Sequence, residues 1–206
     1  MKFDVMKYYE MLDDARSEEV ISELREISLE DLQKADVCAY FNVYGYALVA
    51  EEKWQEARDV YNTYLQYARE KEDKSQIHKA YHQLAMVERL SGRYSEALEY
   101  IKLEKAVIDK AFSDDPLIRS VNRYEYAYLM YLKGEICVAE EEMQKALEEA
   151  RSGDDLIAVA CCYRGLGEIL QAKSVKSFQN SKRYFEKAGD LIGAEEIEAI
   201  LKECVK

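Results

Sequence analysis

The sequence predicts an all-α fold, a right-handed superhelical solenoid of antiparallel helix pairs, and three observations predict it. The first is a pattern met four times: Phe41, Tyr44, Gly45, Leu48, Ala57 and Tyr61; Tyr81, Leu84, Ala85, Ala97 and Ile101; Tyr126, Ala127, Met130, Ala139, Met143 and Ala146; and Tyr163, Leu166, Gly167, Leu170, Ser181, Phe185 and Ala188. The small residues at 45, 85, 127 and 167 recur every 40 to 42 positions. A repeat of that length is one supersecondary unit, which buries its apolar face only against its neighbours. The second observation is composition: 17 Tyr with 8 Gly and 1 Pro suits long helices packed with large amphipathic rings. The third is that no window alternates apolar and polar residues with a period of two, as strands would.

Taken in order, residues 3–13 and 17–27 carry apolar side chains at helical spacing (Phe3, Met6, Tyr9, Leu12; Val20, Ile21, Leu24, Ile27) and read as helices capping one end of the repeat array. Ser28 with Asp31 looks like a capping box opening a helix over 29–51. Helices follow over 54–71, 75–91, 94–112, 116–133, 136–151, 155–173 and 178–189. Gly92, Gly134 and Gly153 stand where helices should stop, and Asp115-Pro116 is a cap followed by a first-turn proline. Residues 192–205 read as an end helix with Ile197, Ile200 and Leu201 turned inward. The repeats run on without a Gly/Ser/Pro-rich linker, so 1–206 reads as a single domain: capping helices over 1–28, four repeats over 29–190 and a capping helix over 191–206.

Lys and Arg number 29 against 41 Asp and Glu, a net charge of −12, which argues against nucleic acid as the partner. No uncharged stretch is long enough for a membrane span, and the first residues lack the apolar run of a secretory leader. Cys38, Cys137, Cys161, Cys162 and Cys204 are odd in number and show no Cys-x-x-Cys spacing, so they read as reduced core fillers. The cytoplasm is the expected compartment.

The order of large and small residues within each unit resembles the tetratricopeptide repeat, over residues 29–190. The units here are longer than that family's norm and lack its closing proline. Within the family, the long, tyrosine-rich units look similar to the tetratricopeptide domains of Gram-positive bacterial peptide-pheromone receptors and response-regulator phosphatases. Those proteins usually carry an N-terminal module longer than the stretch that precedes the first unit here, so DNA binding and phosphatase activity are not among the expectations for this chain. The resemblance implies that the first helix of each unit lines a concave groove, through four positions per unit. These are Ala39, Asn42, Tyr46 and Val49; Lys79, His82, Met86 and Arg89; Val121, Tyr124, Tyr128 and Tyr131; and Cys161, Arg164, Glu168 and Gln171. Ten of them form the expected peptide-binding groove: Asn42, Tyr46, His82, Met86, Arg89, Tyr124, Tyr128, Tyr131, Arg164 and Glu168. Their chemistry suits the task, because Asn pairs with peptide backbone, Tyr offers stacking area with a polar tip and Arg grips carboxylates.

Other features read as structure. The spacing of Tyr124, Tyr128 and Tyr131 is equally that of a packed stripe, but Tyr126 and Leu129 already take the core-facing positions of that helix. His78 and His82 stand one turn apart without a third ligand at fixed spacing, so no metal is expected. The runs Glu140-Glu141-Glu142 and Glu148-Glu149 read as a solvated helix face. No nucleophile with a base, phosphate loop or carboxylate pair appears, so neither catalysis nor a cofactor is expected. The sequence therefore points to a scaffold that binds a protein or peptide segment. Its rival is an assembly factor forming a homo-oligomer through end or convex surfaces.

Overall fold

Four of the helix starts are written into the sequence as aspartates. Asp4, Asp73, Asp115 and Asp155 each accept a hydrogen bond from the backbone N–H three residues on, at 3.2, 3.2, 3.0 and 2.7 Å. Helix ends follow an equally local rule. The residues at 52, 92 and 134 adopt left-handed backbone, and the next N–H in each case bonds back to the carbonyl of residue 48, 88 or 130. Glycine supplies that conformation at 92 and 134, whereas Glu52 adopts it with a side chain. At the predicted stop Gly153 the glycine stays right-handed, and Asp154 turns the chain.

The computed structural model describes residues 3–188 and 191–204. Among them are ten α-helices and no strand: α1 (Val5–Asp13), α2 (Ser17–Arg25), α3 (Val37–Ala50), α4 (Trp54–Glu70), α5 (Lys74–Leu90), α6 (Tyr94–Ala111), α7 (Pro116–Leu132), α8 (Ile136–Ser152), α9 (Leu156–Ala188) and α10 (Leu191–Cys204). The expected helix ends at Gly189 and Val205, and the side chain of Ala188, lie outside the described residues. No described helix is long and apolar enough to cross a membrane. Contacts divide the chain into two units, Met1–Asp114 and Asp115–Lys206.

In the first unit, α1 and α2 lie against α3, and α3 to α6 follow as sequential neighbours. Apart from Tyr44, which is half-buried, their core is the expected one, with Phe41, Gly45, Leu48, Ala57, Tyr61, Tyr81, Leu84, Ala85, Ala97 and Ile101 all buried. Burial pushes the Tyr40 phenol up to about 12 and those of Tyr61 and Tyr64 further still, so all three remain neutral donors. Tyr40 donates to the Leu24 carbonyl at 3.2 Å and Tyr64 to Gln76 Oε1 at 2.5 Å. The helix expected from residue 29 starts only at Val37. A 3-10 turn occupies Leu29–Asp31, and the Asp36 carboxylate accepts the Phe3 N–H at 2.9 Å, a long-range bond that draws this segment to the chain start.

In the second unit α7 packs on α8, α8 on α9, and α9 on α10. The fourth repeat departs from expectation. Residues 156–188 form one helix of 33 residues, about 50 Å long. Its first part lies against α7 and α8, and α10 takes the place of the hairpin partner expected at 178–189. The small residue at the close approach is Gly165, where a Cβ would meet Met143 Cε at 2.6 Å; one at Gly167 would meet nothing. Tyr163 and Leu170, expected in the core, are about half exposed, while Cys162 and Ile169 are buried. Gly167→Ala is therefore expected to stabilise the chain by about 0.5–1 kcal/mol through helix propensity. A urea melt checks this, and a loss of stability would restore the expected register.

The acidic runs on α8 also divide. Glu142 and Glu149 turn toward Arg123 of α7, at 2.6 and 3.0 Å, leaving Glu141 and Glu148 in water. The Glu142 carboxyl would rise on burial, but bonds from Lys145 and Arg123 outweigh this and hold it below the ordinary range. The solvated-face reading is thus corrected for these two residues, which tie α8 to α7, and for Glu140, which pairs with Lys173 of α9 at 2.6 Å.

Candidate functional site

Five of the ten expected groove residues belong to the second unit, where they form a connected set. Helical spacing puts Val121, Tyr124, Tyr128 and Tyr131 on one stripe of α7, and Ile157, Cys161, Arg164 and Glu168 on one stripe of α9. The Tyr124 and Tyr128 rings stack with centroids 5.9 Å apart and planes 10° apart, and Tyr131 tilts onto Tyr128 at 5.7 Å. All three rings are half-buried, so each keeps surface toward solvent. Arg164 Nη2 donates to Tyr124 Oη at 3.1 Å, and Nε lies 3.9 Å from Glu168. Burial raises the Tyr124 phenol, the arginine only partly offsetting this, so the ring tip stays neutral.

Between α7 and α9 opens a cleft of about 500 Å³. Leu117, Ser120, Val121, Tyr124 and Glu125 line it from α7; Asp155, Ile157, Ala158, Cys161, Cys162 and Arg164 line it from α9. The wall is mainly apolar, with polar groups at its edges, as a docking cleft requires. Ile157 is 77% exposed and neighbouring Leu156 82%, unusually bare for the first turn of a long helix. Burial pushes the Cys162 thiol up to about 11, so it is an apolar wall group rather than a nucleophile. Sequence reasoning missed Leu117 and Ile157. The signal was their place four residues before Val121 and Cys161 on the same stripes.

In the first unit the expected groove residues lie on α3 and α5. The Asn42 side chain is half-buried and donates back to the Cys38 carbonyl at 3.0 Å. Tyr46 stands about half exposed on α3. His82 Nδ1 lies 3.2 Å from Glu104 of α6, a carboxylate almost fully buried, and His78 Nδ1 lies 3.7 Å from its other oxygen. Met86 packs against the core, and Arg89 is half-buried in the last turn of α5. Among the described residues no three His, Cys, Asp or Glu are placed to hold a metal ion. A smaller cavity of about 290 Å³ lies between the ends of α3, α4 and α5, with Lys34, Lys71 and Asp73 in its wall.

No protein-family model matches this sequence, and no curated protein matches it. Solved structures resemble its fold. One is BtubC (BKLC) from P. vanneervenii, with a TM-score of 0.60 and 20% identity over 92% of this chain and 88% of that one. Another is the apo form of RapI, with a TM-score of 0.56 and 13% identity over 96% of this chain but 60% of that one. At these identities the likeness concerns the fold alone, an all-helical arrangement of the repeat kind.

Proposed function

We propose that this chain is a non-catalytic helical-repeat scaffold that binds a peptide or an extended segment of another protein, with the α7–α9 cleft as its docking surface. The observation that carries this reading is the cleft itself. An apolar wall is continuous with three half-exposed tyrosines, and the arginine at its edge is held by one of them. The resemblance of the units to tetratricopeptide repeats supports it, and the right-handed solenoid and cytoplasmic setting belong to the same proposal. The test is a selection of random peptides on the immobilised full chain. For a selected peptide, Tyr128→Ala is expected to weaken binding by about 1–2 kcal/mol by removing stacking area. The thermal melt should stay unchanged. Enrichment no greater than on a blank surface would sink the reading.

A second reading rests on a separate observation. Tyr184, Leu191 and Ile192, at the α9–α10 end, are each more than 60% exposed. Apolar side chains so bare are expected where a second copy docks, making the chain an assembly factor. Sedimentation of the pure chain decides it, because a monomer at high micromolar concentration excludes it.

A further inference from the structure

Arg164 is the only basic residue in the wall of the α7–α9 cleft among the described residues, and its guanidinium is oriented by Tyr124 and only distantly paired with Glu168. One N–H goes to the neutral phenol of Tyr124, and the nearest carboxylate, Glu168, stands at 3.9 Å. Two thirds of the side chain remains exposed. An arginine has five N–H donors, so the fork keeps donors for a further acceptor, and a carboxylate fits it bidentately. The acids in the wall are differently placed. Asp155 spends its carboxylate on the cap of α9, and Glu125 is already partnered. The apolar end of the cleft, at Val121 and Ile157, lies seven residues before Arg164 on α9, about 10 Å along the axis. An extended chain covers that distance in about three residues. Beyond Arg164 the surface does not stop, since Tyr128 and Tyr131 continue the stripe along α7. A chain passing Arg164 thus runs on over the rings, so the matching carboxylate belongs to a side chain rather than to a chain terminus.

We propose that the α7–α9 cleft takes an extended acidic segment of a partner protein, seating one apolar side chain between Val121 and Ile157 and pairing an Asp or Glu two or three residues along with Arg164. This rests on the peptide-binding reading above and adds the occupant's chemistry to it.

The experiment is a phage-displayed random dodecapeptide library selected on the full chain, on Arg164→Gln and on Val121→Asp, each first shown to melt like the parent. The parent is expected to enrich peptides carrying a large apolar residue with Asp or Glu two or three positions away. Arg164→Gln should keep the apolar enrichment and lose the acidic one, and Val121→Asp should lose both. For the best synthetic peptide, exchanging its acid for the amide should weaken binding to the parent about tenfold and leave binding to Arg164→Gln unchanged. Apolar peptides without an acidic bias, or with a basic or C-terminal carboxylate preference, would overturn this inference and leave peptide binding standing. No enrichment by the parent would overturn both.

Discussion

Replacing Glu88 by alanine is expected to lower the unfolding free energy by about 3–5 kcal/mol, the usual cost of removing one partner of a buried ion pair. Glu88 sits on the inner face of α5 with 3% of its surface exposed. One carboxylate oxygen takes Arg58 Nε of α4 at 3.0 Å, and the other takes Arg93 Nε, just ahead of α6, at 2.5 Å. Arg58 also donates to Ser91 Oγ at 3.1 Å, so a single carboxylate ties three helices at one corner. With the acid gone, Arg93 is open enough to turn into water, whereas Arg58 is 15% exposed and stays as an uncompensated buried charge. Glu88→Gln should lie between the two, because the amide oxygen still accepts one bond while the charge is lost. The contrasting case is the Glu99–Lys102 pair, with both side chains more than 60% exposed, where Glu99→Ala should leave the denaturation midpoint in place. Equal midpoints for Glu88→Ala and Glu99→Ala would show that the Arg58 corner opens to water.

The first three repeats were legible in the sequence because each has a single small residue at the right step. Gly45, Ala85 and Ala127 are all buried where their units demand it. The fourth offers two glycines, 165 and 167, with large residues on both sides, and spacing alone does not choose between them. What chooses is Met143, a long-range neighbour that fills the space beside Gly165. The missing helix break has a local cause, since residues 168–188 contain neither Gly nor Pro and nothing stops the helix. The start of α3 is the opposite case. Local signals favoured a helix from residue 29, and the bond between Phe3 and Asp36 accompanies a later start.

For the candidate site, the tyrosine stripe followed from helical spacing. The cleft did not, because its depth depends on how α9 lies against α7. The acids turned toward a neighbouring helix were missed for a related reason: Glu88, Glu104 and the partly buried Glu142 look like ordinary surface residues until the partner helix brings an arginine or a histidine to each. Glu142 and Glu149 lie seven residues apart and so share a helix face, a sign that the run was not uniformly solvated.

Gly45→Leu is expected to cost about 3 kcal/mol or more, at or beyond the upper end for overpacking in a close-packed core. A Cβ on residue 45 would fall well inside contact of the Tyr61 ring, 2.5 Å from Cε1 and 2.7 Å from Cε2. Tyr61 is fully buried, and its hydroxyl donates to the Asn42 carbonyl at 3.4 Å, so the ring has little freedom to swing away. Gly45→Ala already meets the same atoms. It returns at most about 1 kcal/mol of helix propensity, too little to offset displacing a buried ring. The contact makes a sharper prediction in a double-mutant cycle. Tyr61→Leu alone should destabilise by leaving space against α3, and Gly45→Ala alone by filling space that does not exist. Together they relieve each other, so the double variant should be at least 1 kcal/mol more stable than the two losses added. Urea denaturation of the four proteins measures the coupling. Simple additivity would mean that α3 and α4 do not meet at this pair, and the packing of the first repeat would have to be redrawn around a different small residue.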